Sequence, residues 1–360
     1  MRGLRKVLVR VLVPLLGVAL VPFVGVAPAH AAQWNPVDLG SLYGGSSTAW
    51  SVNAHETAVG TSDGLPVIWI NRQIQQLLLP DGYTGGTARD VNDAGVAVGH
   101  VWTGDGQIRA ARWDSPTSVT LLGLNALNGS GAYGINSSGT VVGFADYGDG
   151  HVPVKYIGTT AQAIMPNPVG TSYTISQHGN TIVGYHLVNG AMQAFECCIG
   201  GGDMDLPSLA CCGNSGAWAV SGDGQTVYGN SAVGNGRTHA TMWKPHVVPV
   251  WPPGKIAWTP TDLDPSGSLL PDLRDEYVND VVASGSPIAV GSAVGFSGRQ
   301  VAFVWYVAFD GSQVLLALPD FSDNSGSCVT SGATAVSLPL GTIAGYGCTA
   351  DGTQHALLWT

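Results

Sequence analysis

The chain has 360 residues, of which only 11% are charged while 51 are Gly and 21 are Pro, a composition suited to many short strands and tight turns rather than to helices. Against 14 Lys and Arg stand 24 Asp and Glu, a formal charge of −10. That balance excludes partners that bind through basic patches, nucleic acid and anionic membrane surfaces among them.

At the N-terminus, Arg2, Arg5, Lys6 and Arg10 precede an apolar run from Val11 to Ala27, and Ala29-His30-Ala31 offers small residues at cleavage positions. Residues 1–31 therefore read as a signal peptide, which predicts a secreted, extracellular protein. The alternative is a retained anchor, since the run approaches the ~20 residues that span a bilayer; Pro14 and Pro22 interrupt it and favour cleavage. The mature chain keeps 10 basic against 24 acidic residues.

The stretch Gly131–Gly143 reads as a complete β-hairpin. Ala132, Gly134 and Asn136 alternate with Tyr133 and Ile135, Ser137-Ser138-Gly139 supplies the turn, and Thr140-Val141-Val142 leads out. It returns at Ala49–Gly60, Ala88–Gly99, Ser172–Gly184, Ala217–Gly229, Val278–Gly291 and Ala333–Gly345. After each copy a third strand is predicted, ending at Trp69, Trp113, Tyr156, Cys197, Trp243, Trp305 and Trp359. A fourth follows most of them, at Leu77–Pro80, Thr120–Gly123, Ala163–Pro166, Asp205–Pro207, Asp262–Pro265 and Leu316–Pro319.

Four strands per repeat, with 39 to 62 residues between closing glycines, predict an all-β fold, a seven-bladed β-propeller of four-stranded antiparallel blades filling residues 32–360 as one domain. The last repeat runs out after its third strand, while Val37–Gly40 is a lone strand with no repeat before it. Pairing these two would complete the last blade and close the ring. An insertion loop is expected at about 244–259, stiffened by Pro249, Pro252 and Pro253, with Trp251 and Trp258 folding back onto the blade.

Cys197, Cys198, Cys211, Cys212, Cys328 and Cys348 in an exported chain read as disulfides rather than as a zinc site, because the vicinal pairs lack metal-ligand spacing. Cys328 and Cys348 flank the seventh hairpin in register with each other. Nested pairing is expected in the other cluster, for which three connectivities exist.

The repeated pattern A-x-x-[VI]-[NS]-x-x-G-x-x-V-x-G, followed by His-Ala or its variants before an aromatic, resembles the bacterial extracellular HAF-repeat family. The His-Ala-Phe triplet survives in pieces as His239-Ala240, His355-Ala356, Gln193-Ala194-Phe195 and Val301-Ala302-Phe303. The resemblance covers the mature chain and implies export and a propeller-like fold; it implies no catalytic residue set.

His239 and His355 share a repeat position and are expected to bond neighbouring backbone rather than a metal. The Asp-Gly pairs are turns, not calcium loops, so neither metal nor cofactor is expected. One row of the repeat breaks the rule of fixed small or apolar residues: Trp50, Arg89, Tyr133, Tyr173, Trp218, Asn279 and Thr334. Variable, aromatic-rich and near the predicted axis, it is the candidate ligand-binding row, although packing between blades is the competing role. Asp90 and Asp280, one position later, are the candidate catalytic carboxylates. The expected function is a monomeric binding module for a neutral polysaccharide or glycan, or for a protein partner, on the axial face. The alternative is an extracellular hydrolase or lyase using Asp90 and Asp280.

Overall fold

The computed structural model describes residues 34–360 except 166–168, 198–203, 211–212, 235, 248–255, 265–272, 283–286, 296–297, 309, 320, 322–329, 339–340 and 350. Every regular element among the described residues is a strand. The strands form five hydrogen-bonded sheets, three of four strands and two of eight. Each eight-stranded sheet consists of two four-stranded antiparallel meanders joined by one parallel partner pair, Gly129 with Ile108 in one and Thr238 with Asp275 in the other.

Each repeat's first strand carries a β-bulge at the same place. Ala49 faces Gly60 and Ser51 faces Val59, so Trp50 between them has no cross-strand partner. The same shift falls at Arg89, Tyr133, Tyr173, Trp218, Asn279 and Thr334. Opposite the bulge stands the closing glycine of the hairpin. A Cβ on Gly60 would lie 1.9 Å from the Thr48 carbonyl oxygen, and one on Gly143 would lie 2.0 Å from that of Gly131; Gly99, Gly184, Gly229, Gly291 and Gly345 are crowded in the same way, at 1.9 to 2.1 Å. No other residue fits beneath that carbonyl, which is why glycine closes all seven copies.

Two residues after the bulge, Val52, Val91, Ile135, Ile175, Val220, Val281 and Val336 are buried. The next position shapes the turn. The Asn53 carboxamide oxygen accepts the amides of His55 and Thr57 while its Nδ2 donates 3.0 Å to the Asn92 carbonyl of the following repeat. Asn92 does the same toward Asn136, and Asn136 toward Gly179. Each of these side chains fixes its own hairpin and ties it to its neighbour.

The core lies between neighbouring meanders rather than within one. Val59, Ile68 and Leu77 of the first repeat, for example, pack with Ala88, Val101 and Trp113 of the second. Trp69, Trp113, Trp243 and Trp359 are wholly buried, and the indole N–H of each finds a carbonyl of the meander before it: Trp113 bonds Leu78 at 2.8 Å and Trp243 bonds Pro207 at 2.7 Å, whereas Trp305 bonds the Gln313 side chain of its own repeat. The fourth strands sit a few residues earlier than expected, for instance Gln73–Gln76. The apolar residues read as strand instead follow it, with Leu77, Leu206, Leu263 and Leu318 plugged into the core.

The N-terminal strand Pro36–Asp38 pairs antiparallel with the C-terminal strand Gln354–Trp359, Pro36 opposite Trp359 and Asp38 opposite Leu357. Leu39 is buried among residues of the first and last repeats. Its amide donates to the Ala356 carbonyl at 3.0 Å, and its own carbonyl accepts the Trp69 indole at 3.0 Å. Asp38 also receives His355 Nδ1 at 2.9 Å.

The interval expected as an insertion loop is partly strand. Arg237–Val247 and Ile256–Asp262 pair as far out as Val247 opposite Ile256, and Trp258 is buried in the core. Of the cysteines, Cys197 and Cys348 are buried at strand ends. Cys348 Sγ lies 3.3 Å from the carbonyl oxygen of Thr330. Cys198, Cys211, Cys212 and Cys328 lie outside the described residues.

Deleting residues 34–40 removes the burial of Leu39, orphans the Trp69 indole and bares a sheet edge. A loss of at least about 3 kcal/mol is expected, read as a lower midpoint in guanidinium denaturation. An unchanged midpoint would show that this strand does not hold the first and last repeats together.

Candidate functional site

The first strands touch one another in cyclic order, the last against the first, and enclose a cavity of about 670 Å³. The bulge decides what points into it. An extra residue in one strand of a pair escapes the in-and-out alternation and is re-aimed. The residues before Trp50, Arg89, Tyr133, Tyr173 and Trp218 are buried between the sheets, and these five line the cavity together with Asn279 and Thr334.

In the first five repeats the bulge side chains make one continuous stack. The Arg89 guanidinium carbon lies 4.3 Å from the centre of the Trp50 ring and 5.0 Å from that of Tyr133, contacts that contribute about 0.5–2 kcal/mol each. Tyr133 and Tyr173 follow with centroids 5.0 Å apart, and Trp218 meets Tyr173 edge-on at 4.5 Å. All five are half-buried, so their faces remain partly open. In the last two repeats the position is structural. Asn279 Nδ2, expected to face a ligand, donates to the Ala333 carbonyl at 2.8 Å, and the Thr334 hydroxyl donates to that of Ala49 at 2.7 Å.

A second row, missed by sequence reading, backs the first. It is the residue after each closing glycine: Thr61, His100, Phe144, Tyr185, Asn230 and Tyr346 in six of the repeats. Thr61 Oγ1 accepts the Trp50 indole N–H at 3.3 Å, Asn230 Oδ1 accepts that of Trp218, and Phe144 and Tyr185 lie 6.0 Å from Tyr133 and Tyr173. The signal was present in the sequence as variability beside an invariant glycine. Burial, and after it the neighbouring Arg89 charge, push His100 down to about 4, so it is neutral. Tyr173 is held protonated, its pKa raised chiefly by burial.

Asp90 and Asp280 line the same cavity, but their oxygens are engaged as inter-repeat ties. Asp90 accepts the Ser51 hydroxyl at 2.7 Å and the amides of Val91 and Ile135, both at 2.8 Å. Asp280 accepts the amides of Val281 at 2.8 Å and Val336 at 2.9 Å. Desolvation raises both pKa values against these hydrogen bonds, and Asp280 is pushed up to about 7, the nearby Asp90 adding to the shift. His239 and His355 are not at the cavity. They bond carboxylates, Asp262 at 2.8 Å and Asp38 at 2.9 Å, and not the backbone that was expected to hold them. No group of three or more metal-ligating side chains is found among the described residues.

No family model matches the chain, and no curated protein does. Among solved structures, a catalytically inactive virginiamycin B lyase of Staphylococcus aureus, determined with quinupristin, superposes with a TM-score of 0.50 at 10% identity, over 91% of this chain and 100% of that one. The fold is propeller-type. TolB of Acinetobacter baumannii, with a TM-score of 0.42 at 10% identity over 84% of this chain and 79% of its own, and a putative gluconolactonase, 0.39 at 13% over 91% and 93%, also resemble this propeller. At such identities the likeness concerns the fold alone.

The pH dependence of Asp280 is testable. Its folded-state pKa lies above its unfolded value of 3.8, so the folded chain holds a proton that the unfolded chain releases, and this contribution to stability fades as pH rises from about 4 through about 7. Asp280→Asn cannot titrate. Its stability deficit relative to the parent is expected to be largest at about pH 4 and below and to shrink as pH rises toward about 7, by up to about 1.4 kcal/mol per pH unit. Denaturation at several pH values checks it; a deficit independent of pH would contradict the buried-acid account.

Proposed function

We propose that the chain is an exported member of the HAF-repeat type, a seven-bladed ring closed by the N-terminal strand on the last blade, and that its axial pocket binds a polysaccharide or glycan. Cleavage after residue 31 and a Cys328–Cys348 disulfide belong to the same reading. The observation that carries the ligand proposal is the stack of Trp50, Arg89, Tyr133, Tyr173 and Trp218 around one cavity. Flat apolar faces bury the C–H face of a sugar ring, and the donors among them fix its hydroxyls. Nothing in sheet packing asks for an open aromatic row at the one position of the repeat that has no cross-strand partner.

Catalysis is the second reading, favoured by one observation: an acid with a pKa of about 7 can donate or accept a proton near neutrality. Against it, the oxygens of both candidate acids accept backbone amides that the ring itself needs.

A polysaccharide and glycan binding screen with the parent, Trp50→Ala and Trp218→Ala tests the proposal. The expected outcome is carbohydrate binding that each substitution weakens at least about tenfold, the loss of roughly 1.4 kcal/mol from one stacked face. Absence of any carbohydrate binding, or binding indifferent to both substitutions, would overturn it and leave a protein partner as the use of this face. Turnover of a bound glycan, abolished in Asp280→Asn, would establish the catalytic reading in its place.

A further inference from the structure

We propose that the sugar held in this pocket carries a carboxylate, as a uronic acid does, and that the Arg89 guanidinium is its partner. The inference rests on the glycan reading above and revises the expectation of a neutral ligand.

Arg89 is a cation in need of an anion. Its planar fork is fixed between the rings of Trp50 and Tyr133, yet its Nε is buried without a hydrogen-bond partner. No carboxylate among the described residues forms an ion pair with it. Asp90, next in the chain, is turned aside by the bulge and spends its oxygens on Ser51, Val91 and Ile135. A guanidinium does not give up its proton when desolvated, so relief by neutralisation, open to a buried lysine, is closed to it. With no carboxylate partner among the described residues, an anion entering the cavity can supply one.

The surroundings choose the kind of anion. Among the described residues Arg89 is the one Arg or Lys lining the cavity, and the neighbouring His100 is neutral. A single positive charge offsets a single negative one. Asp93 and Asp223 stand in the same wall, and Asp223 is held ionised by the Ser221 hydroxyl and the Gln225 amide, so a phosphomonoester dianion meets repulsion that one cation does not balance. A carboxylate is a planar monoanion that a guanidinium fork grips with two parallel hydrogen bonds. The stacked rings beside it ask for a sugar ring on the same ligand.

The test pairs acidic glycans with their carboxyl-reduced counterparts, which keep the ring and lose only the charge, and measures binding of both to the full chain, to Arg89→Met and to Arg89→Lys. The parent is expected to bind the acidic member at least about tenfold more tightly, a gap that narrows with added salt. Arg89→Met should lose the preference, and Arg89→Lys, which keeps the charge without the fork, should keep part of it. The comparison within the parent needs no variant, so a misfolded Arg89→Met does not spoil the test. Equal binding of acidic and reduced glycans by the parent would overturn the inference while leaving the carbohydrate reading intact; a folded Arg89→Met that keeps the full preference would also overturn it. No binding of either kind would sink both.

Discussion

The structure hangs on a close approach of two backbones. In every repeat the carbonyl just before the bulge presses on the glycine that closes the hairpin, at a spacing that leaves no room for a Cβ. From that contact follow the bulge, the unpaired residue within it and the direction in which that residue points. Packing demands fall on its neighbours, the buried Ala, Ser or Val before it and the buried Val or Ile two places on. The bulge residue is thereby released from the demands of the sheet. It can be Trp in one repeat, Arg in the next and Thr in the last without disturbing the blade, which is how a repeated scaffold comes to carry an unrepeated surface.

The same geometry explains why the carboxylates beside the pocket are a weaker basis for function than the aromatic row. Asp90 and Asp280 follow the bulge and face the next blade, where an amide left by the irregular strand needs an acceptor. In other repeats small residues stand there. A carboxylate in this place is desolvated, and its raised pKa records the cost. Such a shift is what an active site exploits and also what a structural tie suffers. Here the hydrogen-bond partners are known, and they are backbone amides.

The repeat, most of its strands and the place of Trp69, Trp113, Trp243 and Trp359 at the ends of third strands were legible in the sequence, because an aromatic recurring 9 to 14 residues after an invariant glycine is a strong signal. The convergence of Trp50, Arg89, Tyr133, Tyr173 and Trp218 was legible as variability at one position. The bulge was not. Strict alternation through Ala132, Tyr133 and Gly134 fits a period of two, and an inserted residue leaves no mark in composition. The turn-and-neighbour bonds of Asn53, Asn92 and Asn136 were hidden for a different reason, since their partners lie about 40 residues away in sequence, across an interface that local pattern does not report. Fourth strands such as Met204–Asp205 are too short to show any period, so the sequence pattern marks instead the apolar residue that follows, as at Leu77, Leu206, Leu263 and Leu318.

Introducing the same residue one position apart tests most directly whether the bulge frees its residue from the packing of the blades. Ala132→Leu and Tyr133→Leu form one matched pair, Ala217→Leu and Trp218→Leu another, and the measurement is the free energy of unfolding of each. Leucine at 132 and 217, positions with no exposed surface, is expected to cost about 2 kcal/mol or more through overpacking, and at 133 and 218 about 1 kcal/mol or less. Equal losses at the two positions would mean that the row around the cavity is part of the core.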